Sequence, residues 1–180
     1  LYNYDRYRQS WAPVVERLSY SLNAEQMVCS MTTQLFHFPG TQNLKGNAEL
    51  HHHLVPASYH RITALGCAKR VHRGETHQSI IKALIDCVNN GLKEDKEVNR
   101  WLQVMKKNAP AGLENFMNSI STWQEQAEHS LAYTRELLQE MGYEIGVDDG
   151  NRHINRNLLA KLVGYFFKKI TYPRVMYSIR

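Results

Sequence analysis

Apolar residues recur along this chain at helical intervals of three and four, and almost nowhere in the alternating pattern of a strand. Residues 23 to 36 open on Asn23, a good N-cap. They carry Met27, Met31 and Leu35 on one face and stop before Phe38-Pro39-Gly40. The polar stretch from 40 to 48 predicts a loop. Pro56 then suits the first turn of a helix over about 57 to 72, with Ile62, Leu65 and Val71 among its buried positions and Gly74 as its terminator. The next helix, near 76 to 89, is expected to stop at Asn89-Asn90-Gly91, whose residue types favour turns.

A further helix over about 93 to 107 places Val98, Trp101, Leu102 and Met105 on one side. Glu94, Asp95 and Glu97 near its start and Lys106 and Lys107 near its end would complement the helix macrodipole. The longest pattern runs from Leu113 through Met117, Ile120, Leu131 and Leu138 to Met141, closed by Gly142, and predicts a long central helix near 113–141. A last helix over about 153 to 169 is expected to bury Leu158, Leu162 and Phe166, and the tail from 171 to 180 suits a short strand or an extended arm. A segment near 4 to 21 also reads as helix, kinked or split by Pro13. The fold class is therefore all-α, a compact domain of six to eight helices spanning 1–180.

With 43% apolar content, 180 residues are enough to enclose a real core. The start Leu1-Tyr2-Asn3-Tyr4 points to a piece of a longer chain. No apolar run approaches the length of a membrane span, so the expectation is a soluble domain with no membrane partner. Cys29, Cys67 and Cys87 are odd in number and widely spaced, which favours a reducing, intracellular compartment, cytoplasmic or nuclear. Cys87 falls on an apolar face with Ile80, Ile81, Leu84 and Val88 and reads as a small buried hydrophobe. Trp11, Trp101 and Trp123 read as core or interface anchors. Phosphate-loop and dinucleotide glycine patterns are absent, as are the serine-hydrolase elbow and the His-Glu-x-x-His zinc helix.

Six of the nine histidines lie between 51 and 77, with Cys67 among them. Imidazole ligates metals and moves protons near neutral pH, so the cluster is the first place to seek chemistry. The string Leu50-His51-His52-His53-Leu54-Val55-Pro56 resembles the first strand of HNH-type ββα-metal nucleases. The resemblance implies His52 as general base, with His51, His72 or His77 holding a metal. It covers six or seven residues; the family's glycine turn does not follow Pro56, and no Asn occurs between Asn47 and Asn89. A structural zinc on His53, His60, Cys67, His72 or His77 lacks ordinary finger spacing, since His60 and Cys67 would stand about 10 Å apart along a helix. Surface, capping or boundary histidines explain the cluster with less, and no catalytic residue, metal or cofactor is assigned.

Charge is the firmer signal. Residues 50 to 74 hold four Lys or Arg and no acid, residues 151 to 180 hold seven and no acid, and 91 to 149 hold eleven acids against six bases. The net charge of +5 is the remainder of this polar layout. Clustered cations can neutralise successive phosphates and release counterions, while interleaved aromatic rings can stack on bases. The sequence therefore predicts a non-enzymatic module that docks nucleic acid, or an acidic partner, through the two basic segments. Arg61, Lys69, Arg70, Arg73, Lys161, Lys168, Lys169 and Arg174 would contact phosphates, with Tyr165 and Tyr172 as stacking surfaces. The alternatives are the HNH-like nuclease centred on His51 to His53 and a protein-interaction domain of a larger chain or assembly.

Overall fold

The computed structural model describes the backbone of residues 2–145 and the side chains of residues 10–145. Over this range the chain is all-helical, with α1 at Tyr2–Gln34, α2 at Asn47–His72, α3 at Gln78–Asn108 and α4 at Glu114–Glu140, and one short 3-10 turn at Leu35–His37. Each helix packs on its neighbours in sequence and α4 closes the ring against α1. Pairings such as Arg17 over Tyr133 and Trp11 against Tyr143 run α1 and α4 antiparallel. The architecture is an up-down-up-down four-helix bundle.

Buried positions explain why these residues form this bundle. On α1 they fall at Trp11, Val14, Leu18, Ser21, Glu25, Val28 and Thr32, and Leu35 of the 3-10 turn continues the alternating steps of three and four. On α2 the same rhythm gives Leu50, Leu54, Ala57, Arg61, Ala64, Ala68 and Val71, and on α4 Met117, Ile120, Gln124, Ala127, Leu131, Thr134 and Leu138. A seam of period 3.5 lets the ridges of one helix enter the grooves of the next at the shallow angle of bundles. The apolar seam residues form two clusters, one around Trp11, Leu18, Leu84 and Leu138 and the other around Val28, Leu50, Leu102 and Met117. Between them each helix contributes polar seam positions, Ser21 and Glu25, Arg61, Asp95 and Gln124, all fully buried.

Several expectations require correction. The six helical segments predicted within the described residues form four helices, because shorter segments merge. Residues near 4 to 21 and 23 to 36 form one 33-residue helix, with Pro13 inside it and Asn23 exposed in mid-helix. Pro56 lies inside α2 rather than in its first turn. Either proline costs its helix roughly 3 kcal/mol. Each is flanked by fully buried seam residues, Trp11 and Val14 in one case and Leu54 and Ala57 in the other, whose burial offsets that cost. The face assigned to Met27 is also rotated: Met27 is 41% exposed, and the seam runs through Val28, Thr32 and Leu35. The long helix near 113–141 is present as α4, but it is one of four equivalent staves and is shorter than α1 and α3. The helix expected at 153 to 169 and the tail lie outside the described residues.

The terminators sort by a physical criterion. Gly74 and Gly142 take positive φ of 102° and 87° and each sits two residues past the last residue of its helix, just beyond the C-cap. Backbone bonds from Glu75 N to Arg70 O and from Tyr143 N to Leu138 O complete the reverse turn in each case. Gly91 was expected to end a helix and instead lies inside α3, where a Cβ would stand 2.8 Å from Leu131 Cδ2 and 3.6 Å from His60 Cβ. The glycine serves close approach of three helices, not a turn. Gly91→Ala should therefore destabilise the fold by about 1–3 kcal/mol. The gain of about 1 kcal/mol expected from helix propensity offsets part of that loss. Urea unfolding measures it, and an unchanged or raised midpoint would show that Leu131 can yield.

Candidate functional site

The polar layer is the most concentrated chemistry among the described residues. Arg61, completely buried, donates from Nη2 to both Asp95 carboxylate oxygens at 2.8 and 2.7 Å, from Nη1 to Glu25 Oε1 at 3.1 Å, and from Nε to Ser21 Oγ at 2.9 Å. Ser21 in turn donates to the Ala127 carbonyl at 2.6 Å, and Gln124 Nε2 donates to Asp95 Oδ1 at 3.1 Å. All four helices are joined through one guanidinium. Two carboxylates share a single buried cation, and burial pushes the Glu25 carboxyl up to about 7 against the pull of Arg61. No solvent reaches these side chains, so the layer holds the bundle together and offers nothing to a substrate.

This placement corrects one predicted contact. Arg61 was expected at a phosphate, but its position on the α2 seam turns it inward, where two acids consume its charge. Lys69, Arg70 and Arg73 are exposed at the end of α2. Arg70 is paired with Glu75 at 2.7 Å, an exposed contact that water and salt weaken. Lys161, Tyr165, Lys168, Lys169, Tyr172 and Arg174 lie outside the described residues.

The histidines disperse. His51, His52 and His53 stand on α2, where successive side chains diverge by about 100°, instead of on the strand that the nuclease resemblance implies. His51 stacks on Phe36, His52 is exposed, and His53 Nδ1 lies 2.7 Å from Glu94 Oε2. His60 is buried beside Arg61, and neither ring nitrogen has a hydrogen-bond partner among the described residues; burial, then the Arg61 charge, lowers its pKa to about 4. No three His, Cys, Asp or Glu side chains converge to hold a metal among the described residues. Burial also pushes the Cys29 and Cys87 thiols up to about 12, which suppresses the nucleophilic thiolate.

The sequence pattern missed how α3 sorts its charges. Its acids were expected near a helix start. Because α3 begins at Gln78, Glu94, Asp95 and Glu97 stand in mid-helix, facing His53, Arg61 and Arg100 respectively. None of the four acids of α3 is exposed, whereas all six of its Lys and Arg are. The acidic average of 91–149 comes from residues beyond α3; α3 itself holds six Lys and Arg against four acids and presents all six cations to solvent. No helix among the described residues is long and apolar enough to cross a membrane. No family model, curated protein or solved structure matches this chain.

Two outcomes test the polar layer. Arg61→Ala strands Glu25 and Asp95 in the core and should cost roughly 3–5 kcal/mol in urea unfolding; a loss under 1 kcal/mol would mean that water enters the layer. The pH response has two opposing arms. Glu25, raised from 4.5 to about 7, contributes stability that is full below pH 4.5 and is lost as pH rises through 7. His60, lowered from 6.5 to about 4, contributes stability that is full above pH 6.5 and is lost as pH falls through 4. Between pH 4.5 and 6.5 the two slopes oppose. Glu25→Gln should therefore steepen the loss of stability between pH 6.5 and 4.5 relative to the parent chain, measured as melting temperature against pH. Parallel curves would contradict the Glu25 assignment.

Proposed function

We propose that this chain is a non-enzymatic helical module that docks nucleic acid. The observation that carries this reading is the exposed cation group Lys69, Arg70 and Arg73 at the C-terminal end of α2, while the buried Arg61 is neutralised internally. Exposed Lys and Arg ends can displace counterions from a phosphate backbone, and each contact adds about 0.7 to 0.9 to the slope of log K against log salt. Lys161, Lys168, Lys169 and Arg174 are proposed as further phosphate contacts in their own segment, with Tyr165 and Tyr172 as stacking surfaces. The partner class is nucleic acid; the same chain would stand beside other domains of a larger protein or complex.

Anisotropy of a labelled oligonucleotide, titrated at several salt concentrations, tests the proposal. Binding should weaken linearly in log salt. Replacing Lys69, Arg70 and Arg73 together by Gln should reduce the slope by about 2 without lowering the melting temperature. Absence of salt-dependent association with single-stranded or duplex oligonucleotides would overturn the nucleic-acid reading.

A further inference from the structure

The uninterrupted course of α3 creates a surface that two separate helices would not. Its residues are in helical register from Gln78 to Asn108. At 100° per residue, Lys82, Lys93, Lys96, Arg100 and Lys107 fall within an arc of about 80°, on the side opposite the seam of Leu84, Asp95 and Leu102. All five are exposed. With 1.5 Å of rise per residue the line extends about 37 Å from Lys82 to Lys107. Gln78 and Gln103, both exposed, share the arc, and it contains no acid.

The single sign of this stripe is not what an ordinary solvated helix face requires. Exposed faces commonly mix Glu with Lys, because pairs four residues apart support the helix. On α3 the acids are spent elsewhere. Asp95 neutralises Arg61 in the core, Glu94 meets His53 on α2, and Asp86 is half-buried outside the arc. Glu97 reaches Arg100 at 3.3 Å, but the Arg100 side chain is 63% exposed, so a phosphate can compete for the guanidinium. Arg100 also lies 5.0 Å over the Trp101 ring, which restrains its guanidinium on the surface.

Building on the nucleic-acid reading above, we infer that the α3 stripe is a track for the sugar-phosphate backbone of a single strand. The line is straight and about 37 Å long. Duplex phosphates follow a helical path and would meet a straight rod over only part of that length. A single strand can straighten along all five cations. Amide groups of Gln78 and Gln103 supply hydrogen bonds on the same face, and the contact is independent of base sequence because it is made to phosphates.

The experiment compares two charge-matched variants on single-stranded and duplex 20-mers of mixed sequence. Lys96→Gln with Lys107→Gln removes two charges from the stripe, whereas Arg17→Gln with Arg135→Gln removes two from α1 and α4. The stripe variant should lower the single-strand salt slope by about 1.4 and the other leave it unchanged. In the parent chain, bound single strand should protect Lys96 and Lys107 from acetylation, a readout that needs no variant. Equal slopes for both variants, unprotected lysines, or tighter binding of the duplex would each overturn the track. If the α2 variant flattens the slope while the stripe variant matches the parent, the track falls and the nucleic-acid reading stands. A parent chain that binds no oligonucleotide in a salt-dependent way overturns both.

Discussion

A guanidinium that no water touches, held between a carboxylate of α1 and a carboxylate of α3, is the constraint on which the bundle rests. Burying such charges is costly, and their attraction repays the cost only where hydrogen-bond geometry is good. Here Arg61 satisfies that condition with bonds to Asp95, Glu25 and Ser21, and Gln124 ties the fourth helix to the same centre. The layer lies between two apolar clusters. Slipping α2 by one heptad would drive the guanidinium into one of those clusters and leave Glu25 and Asp95 unpaired. Apolar seams alone tolerate such slips, since one Leu layer packs much like the next; a single polar layer selects one register.

That internal demand shapes the exterior. The layer draws Asp95 inward, and the α2–α3 contact engages Glu94 through His53. The cations of α3, long enough to reach solvent from any position off the seam, remain outside. Charge segregation on the surface follows from the core's need for counterions. The cationic end of α2 and the line along α3 arise on adjacent helices of one hairpin, joined through the turn at Gly74.

The misplaced helix boundaries were each read from a local residue type that packing overrode. Asn23 suits a cap, Pro56 a first turn and Asn89-Asn90-Gly91 a stop, yet each lies within a continuous helix whose seam runs through Glu25, Arg61 or Asp95. The pattern over 113 to 141 was read whole because no Gly or Pro stands between Glu114 and Glu140. Gly74 and Gly142 were legible because they follow the last seam residue of their helices. Gly91 was not, because close approach by Leu131 belongs to another helix.

The sequence by itself determined the helical class, the ends of α2 and α4, the burial of Cys87 and Trp11, and the exposed cations that close α2. These follow from local spacing and residue chemistry, which act within a few turns of chain. Only the tertiary structure decided that Arg61 faces inward, that the histidines of α2 part company, and that the acids of α3 are drawn off its exposed face while its cations stay there. Those outcomes depend on which distant side chains meet, and a buried charge is placed by its partner rather than by its neighbours in sequence.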